Sequence, residues 1–104
     1  MKLLTKELYA DLCKSQSQTP DPICKAHWFN PVGRGHWFGI KMTDENEVIV
    51  FGYVSLFGDW NDELGDFSLA ELESLQLPYG MKIERDQHWT PKLLSEVKKE
   101  YTNA

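Results

Sequence analysis

The longest run of β-branched and aromatic residues lies in the middle of the chain, from Glu47 to Phe57. Its apolar residues alternate between two faces, with Val48, Val50, Val54 and Leu56 on one and Ile49, Phe51, Tyr53 and Phe57 on the other. A half-exposed strand alternates apolar with polar residues, so a run that is apolar on both faces predicts a central strand buried on both sides. Gly52 interrupts the run and indicates a β-bulge or a close backbone approach.

Two leucine patterns predict short helices that begin at a polar cap. Thr5 precedes Leu8 and Leu12, which are spaced i, i+4, so we expect a helix over 6–13 with Leu4 extending its apolar stripe. Ser68 and Glu71 have the spacing of a capping box and predict a second helix to about position 75. Its inward residues would be Leu69, Leu72 and Leu75.

A third helix is predicted over 91–101, because proline suits the first helical position and Thr90 precedes Pro91. Its apolar stripe would contain Leu93, Leu94, Val97 and Tyr101. A further strand is expected over 81–88, and the Gly- and Asp-rich stretch 58–66 is expected to be a loop.

Two strands, over 25–30 and 35–42, are predicted to form a hairpin around Pro31 to Arg34. This register places Trp28 opposite Trp37, and a loop one residue longer or shorter would break it. Together these elements predict an α+β fold over residues 1–104 as a single domain. We expect an antiparallel sheet of four to five strands with three short helices.

Composition narrows the classes of partner. Sixteen acidic and eleven basic residues leave a net charge of −5, which disfavours direct binding of a nucleic-acid backbone and is compatible with a basic protein partner. The chain has no apolar run long enough to span a membrane, and charged residues interrupt the apolar N-terminal segment. We therefore expect a cytoplasmic protein whose two cysteines, Cys13 and Cys24, are reduced.

Each of the three histidines is followed by tryptophan. In the predicted hairpin, His27 and His36 share one face as diagonal neighbours, and His88 with Cys24 could complete a tetrahedral zinc site. Only Cys24 and His27 have a recognised ligand spacing, so histidines half-buried beside aromatic rings are the favoured interpretation. We assign no metal and no cofactor.

A second candidate for chemistry is the strand face that carries Glu84, Asp86 and His88. Two carboxylates beside an imidazole could act as an acid–base set or hold a divalent metal. The alternative is a solvated face whose charges keep an edge strand from pairing with other chains. Because no nucleophile motif or phosphate-binding loop accompanies these residues, we assign no catalytic residue.

An acidic stretch around Trp60 is the favoured binding surface. An exposed tryptophan with an acidic rim would suit a basic partner protein, whereas the alternative places Trp60 back on the core. The predicted partner-binding residues are Asp59, Trp60, Asp62, Glu63 and Asp66, together with Trp28 and Trp37 of the hairpin.

Four segments together resemble the domain-of-unknown-function family 2958, a set of small bacterial proteins carried largely by plasmids, integrative elements and phages. They are MKLLTKEL at the N-terminus, FGYV at 51–54, ELGDFSLAELES at 63–74 and IERDQHWTPKLLSE at 83–96. The resemblance covers nearly the whole chain, and the stretch 15–46 matches least well. It implies a mobile-element accessory protein and supplies no catalytic residues.

Two functions follow as hypotheses. The first is a non-enzymatic protein-interaction module that inhibits a host defence system, such as CRISPR or restriction, by binding the basic surface of a host complex. The second is a small hydrolase or metal-dependent enzyme that uses Glu84, Asp86 and His88, with His27 or His36 assisting.

Overall fold

A computed structural model describes residues 2–14, 19–56 and 62–101. Within them the fold is α+β, as predicted, and its main sheet is antiparallel with the strand order β5-β4-β3-β2-β6. The strands of this sheet are β2 (Ala26–Phe29), β3 (His36–Asp44), β4 (Ile49–Ser55), β5 (Glu63–Ser68) and β6 (Glu84–Arg85). The helices are α1 (Lys6–Cys13), α2 (Leu69–Ser74) and α3 (Leu94–Tyr101). A separate two-stranded sheet joins β1 (Ile23–Cys24) to β7 (Lys92–Leu93), and a 3₁₀ turn spans Pro78–Gly80.

Strand β4 is covered on both faces, which confirms the central inference from the sequence. Val50 belongs to an apolar cluster with residues of α1 and α2, whereas Tyr53 belongs to a second cluster with residues of α3. The middle position of the sheet is held by β3, with β4 next to it. Leu56 is 43% exposed and lies beyond the strand, so its predicted place in the core was wrong. Phe57 lies outside the described residues.

The hairpin register is confirmed residue by residue. Trp28 pairs with Trp37, His27 with Phe38 and Phe29 with His36. The N–H of Asn30 donates to the carbonyl of Gly35 at 3.0 Å and closes the turn.

The first two helices begin where their local caps predict. The Thr5 hydroxyl accepts from the Leu8 N–H at 3.1 Å, and the Ser68 hydroxyl accepts from the Glu71 N–H at 3.1 Å. Each bond satisfies one of the N–H groups that lack a partner within the first turn. Helix α2 ends at Ser74, and Leu75 is 43% exposed, so its predicted inward position was wrong.

Helix α3 begins at Leu94, three residues after the proline that was expected to start it. Lys92 and Leu93 are instead extended and pair with β1. The cap comes from a distant residue, because both carboxylate oxygens of Asp21 accept hydrogen bonds from Ser95, at 2.7 and 2.8 Å. Leu93 is 41% exposed and does not belong to the buried stripe.

Two further sequence predictions were wrong at the edges of the sheet. The segment from Glu63 onward is strand β5 and not a loop, because its backbone pairs with β4 from Glu63 to Ser68. Of the strand expected over 81–88, only Glu84–Arg85 forms a strand. It ends there because Asp86 forms a turn, in which its side chain accepts from the His88 N–H and its carbonyl accepts from the Trp89 N–H.

Candidate functional site

Three of the acidic residues predicted to bind a partner lie together at one edge of the sheet. Asp62, Glu63 and Asp66 line an open groove of about 200 Å³ along β5. The groove also contains Leu56 and Leu64, each of which is 43% exposed. Within the described residues no strand pairs with the outer edge of β5. The surface therefore combines apolar contact area, negative charge and open backbone hydrogen-bonding groups.

The two tryptophans of the hairpin differ in their access to a partner. The strand register aligns Glu63, Val54, Trp37 and Trp28 in one row across the sheet. Trp37 is half-buried and lies two strands away from Glu63, so it can extend the acidic surface. Trp28 is fully buried, and its indole N–H donates to the Leu3 carbonyl at 2.8 Å. Its predicted role in partner binding was therefore wrong, because it is a core residue.

Asp59 and Trp60, the remaining predicted partner-binding residues, lie outside the described residues.

Three titratable side chains, Asp86, His27 and His36, form a hydrogen-bonded row across the opposite face of the sheet, which we call the histidine file. Nδ1 of His27 lies 3.0 Å from Oδ2 of Asp86, and Nε2 of His27 lies 2.9 Å from Nδ1 of His36. His27 is 5% exposed, whereas His36 and Asp86 are half-buried. Strand pairing produces this file, because β2 places His27 diagonally to His36 of β3, while Asp86 follows β6 on the other side of β2.

The hydrogen-bond network assigns the tautomers of the file. The carboxylate of Asp86 can only accept, so Nδ1 of His27 carries a proton and donates it. In neutral His27, Nε2 must then accept a hydrogen bond, which His36 supplies from Nδ1. In neutral His36 the proton is then on Nδ1, so Nε2 carries the lone pair.

The surroundings favour the neutral imidazoles. Burial lowers the pKa of His27, although the bond to Asp86 acts in the other direction. Burial, and then the neighbouring His27, lower the pKa of His36. Partial burial acts to raise the pKa of Asp86, but hydrogen bonds from His27 and from the His88 backbone outweigh it, so this pKa is lowered. The resulting charge state at neutral pH is one carboxylate and two neutral rings.

Aromatic rings pack around the buried imidazole. The His27 ring stacks on Phe38, with centroids 4.7 Å apart and planes inclined by 7°. Trp89 and Tyr101 lie at 5.1 and 5.4 Å from the same ring. These contacts hold His27 in one orientation, which a hydrogen-bonded file requires.

Next to the file, towards the acidic edge, lies a buried hydrogen-bonded pair of which only Asp62 was singled out in the sequence. Ser55 lies directly opposite His36 in the β3–β4 ladder, and its hydroxyl donates to Oδ2 of Asp62 at 2.7 Å. Ser55 is 1% exposed. A buried serine at the end of an apolar strand is the signal that could have identified it, because a buried hydroxyl needs a partner.

The residues of the zinc hypothesis do not assemble into a site. Cys24 is buried in the cluster beneath α3, where burial raises the pKa of its thiol to about 12, and His88 is exposed in a turn. Among residues 2–14, 19–56 and 62–101, no three His, Cys, Asp or Glu side chains are grouped so as to hold a metal ion. Both cysteines are free thiols, Cys13 at the surface and Cys24 in the core.

The three residues of the acid–base hypothesis, Glu84, Asp86 and His88, do not lie together in one site either. Asp86 joins the imidazole pair, whereas Glu84 and His88 are exposed. The partner of Asp86 is His27, which lies 59 positions earlier in the chain.

A family model described as a protein of unknown function, DUF2958, matches residues 2–101. The chain belongs to the DUF2958 family. The match covers the edge groove and the histidine file alike, and it confirms the family resemblance seen in the sequence. Neither the comparison with curated proteins nor that with solved structures finds a match. In the described part of this DUF2958 chain, none of the helices has the length and apolar character of a membrane span.

Proposed function

We propose that this DUF2958 protein is a non-enzymatic interaction module that binds a basic protein segment along the open edge of β5. The observation that carries the proposal is the groove in which exposed Leu56 and Leu64 are bordered by Asp62, Glu63 and Asp66. Apolar contacts in such a groove would supply affinity, and the acidic border would select a partner rich in lysine or arginine.

The open edge also defines how the partner would bind. A strand at the edge of a sheet presents unpaired N–H and C=O groups that an extended peptide can use for β-augmentation. Gly65 lies at the middle of β5, and a Cβ at this position would meet no atom within 4 Å. The face of the sheet is therefore uncovered at this position, which leaves room for side chains of a partner strand.

Acidic edge residues have another role in many proteins, where they prevent sheets of different molecules from joining. The two roles predict different results when the charge is removed. A protective role predicts self-association of the variant, whereas a binding role predicts loss of a specific partner.

The partner class that we propose is a basic surface of a host complex in the cytoplasm, and inhibition of a defence system is the form that the mobile-element resemblance favours. A net charge of −5 is small for a mimic of nucleic acid, so occlusion by protein–protein contact is the proposed mode. No direct contact with nucleic acid is proposed.

Affinity capture from a bacterial lysate tests the proposal with three baits. We expect the wild-type protein to retain a specific protein whose recovery falls at high salt, because surface charge pairs are screened. The charge reversal Glu63→Lys with Asp66→Lys should abolish this recovery.

The matched control is Glu47→Lys with Glu84→Lys, which makes the same charge change at exposed positions that do not line the groove. It should retain the partner. Recovery of the same protein by the β5 variant, or enrichment of nothing by the wild type at either salt, would contradict the proposal.

A further inference from the structure

The histidine file ends at a nitrogen that has no hydrogen-bond partner within the described residues. Both ring nitrogens of His27 are bonded, whereas His36 uses only Nδ1. Burying polar groups is unfavourable unless each finds a partner, and the first two members of the file satisfy this condition. His36 is half-buried, so its free nitrogen lies at the end of the file that approaches the surface.

The order of donors and acceptors along the file makes this nitrogen an acceptor. Asp86 orients the proton of His27, and His27 in turn orients the proton of His36, so the lone pair of His36 is on Nε2. A carboxylate that holds an imidazole in one tautomer and stabilises its protonated form is the arrangement that makes histidine an effective base in acyl-transfer enzymes. In this protein a second imidazole extends that arrangement.

His36 is bordered by an aromatic ring and by a hydrogen-bonded polar pair. The Tyr101 ring lies 5.0 Å from the His36 ring, and the Ser55–Asp62 pair occupies the neighbouring position on β4. Burial and the neighbouring His27 lower the pKa of His36, and Asp62 acts in the opposite direction. The unprotonated ring is therefore the resting form, and Asp62 is the neighbouring carboxylate that favours charge on the ring during proton uptake.

We propose that Nε2 of His36 is a base that takes a proton from a bound O–H group, either a water molecule or the hydroxyl of a small ligand. In this step the O–H bond breaks, its proton forms a bond with Nε2, and the electron pair remains on oxygen. His27 and Asp86 are positioning residues, which act on the ligand only through His36. This site shares Asp62 with the border of the β5 groove. The proposal goes beyond the interaction role, which involves no chemistry, and does not depend on partner binding.

Two measurements on the folded wild-type protein test the assignment. Nitrogen-15 chemical shifts of the histidine rings report the tautomer, and we expect the proton of His36 on Nδ1. Diethyl pyrocarbonate tests the lone pair, since an unprotonated Nε2 attacks its carbonyl carbon and expels ethyl carbonate, which yields ethanol and carbon dioxide. Site-resolved mass spectrometry should show modification of His36, with exposed His88 as the internal reference.

Asp86→Asn tests the positioning role. Asp86 accepts from His27 with one oxygen and from the His88 N–H with the other, whereas an amide has a single accepting oxygen. Loss of this orienting group should lower the rate of His36 modification about tenfold relative to the wild type and move the His36 proton in the nitrogen-15 spectrum. Glu84→Gln is the matched control, because it neutralises an exposed carboxylate two residues away.

Several results would overturn the proposal. A His36 proton on Nε2, or a folded wild type in which only His88 reacts, would show that Nε2 of His36 is not a base. Equal rates of His36 modification in Asp86→Asn and in the wild type would show that Asp86 does not position His36. The wild-type measurements decide the first question even if the variant does not fold.

Discussion

Three glycines pair with one another across the sheet and make room for two aromatic rings. Gly39 pairs with Gly52, and Gly52 pairs with Gly65. A Cβ on Gly39 would lie 2.9 Å from the Trp28 ring, and one on Gly52 would lie 3.0 Å from the Phe67 ring. Those two rings meet edge to face, with centroids 5.9 Å apart. The row lets large side chains from neighbouring positions cover the backbone.

Alanine substitutions along this row should have opposite consequences. In Gly52→Ala the new Cβ would lie 1.8 Å from the Phe38 carbonyl oxygen, which is backbone and cannot move aside, so we expect a loss of about 3 kcal/mol in the free energy of unfolding. Gly65→Ala meets nothing within 4 Å and should be neutral or stabilising by about 0.5 kcal/mol. Urea unfolding of both variants checks this, and equal losses would contradict it.

The paired tryptophans of the hairpin should also differ in their contributions to stability. Trp28→Phe leaves the Leu3 carbonyl without its donor and opens space in the core, so we expect a loss of about 2–3 kcal/mol. Trp37→Phe changes a half-buried ring and should cost less than about 1 kcal/mol. Denaturant titrations compare the two, and a larger effect at Trp37 would show that the burial pattern is misassigned.

At the scale of elements, the helices differ in where their first turn finds its cap. Helices α1 and α2 take theirs from the residue directly before them, Thr5 and Ser68. Helix α3 takes its cap from Asp21, 74 positions before Ser95. Its start is therefore determined by the chain segment that pairs with β7, and not by Thr90 and Pro91.

The distant cap predicts that Asp21 stabilises α3 as a local cap would. Asp21→Ala should cost about 1 kcal/mol in the free energy of unfolding, the usual loss for a capping side chain. Asp21→Asn keeps one accepting oxygen and should cost less. Thr90→Ala, at the cap position inferred from the sequence, should leave stability nearly unchanged, and a larger loss there than at Asp21 would contradict the assignment.

At the scale of the whole molecule, stability should depend on pH through the histidine file. His27 and His36 have lowered pKa values in the folded state, so the unfolded chain binds more protons below the ordinary histidine pKa of about 6.5. Their contribution is fully present above that pH and is lost as the pH falls through the folded values. The pKa of Asp86 is also lowered in the folded state, so stability continues to fall at more acidic pH as this carboxylate is protonated.

We therefore expect a lower free energy of unfolding at about pH 5.5 than at about pH 7.5. His36→Gln should reduce the difference between the two values, because it removes one of the neutral rings. Exposed His88→Gln is the control and should leave the difference unchanged. Urea unfolding at both pH values measures it, and stability that rises on acidification would contradict the charge state assigned to the file.

The candidate sites could be predicted only in part, because strand contacts join residues that are distant in sequence. The hairpin register placed His27 diagonal to His36, and charge patterning marked Glu63 and Asp66 as surface residues. The partner of His27 is Asp86, in a turn that ends β6 early, and Ser55 meets His36 only through the β3–β4 ladder. Such pairings depend on the order of strands in the sheet, which periodicity does not encode.

Local rules of the sequence by themselves determined the α+β class, the doubly covered strand β4, the hairpin register and the caps of α1 and α2. Each depends on residues within a few positions of one another, so side-chain period and backbone capping suffice to specify it. Tertiary structure alone decided that Trp28 is buried while Trp37 is half-buried, that Glu63 begins an edge strand, and that Asp21 caps α3. These outcomes depend on which distant segment supplies the hydrogen-bond partner or covers the ring, and packing selects that segment only once the whole chain has folded.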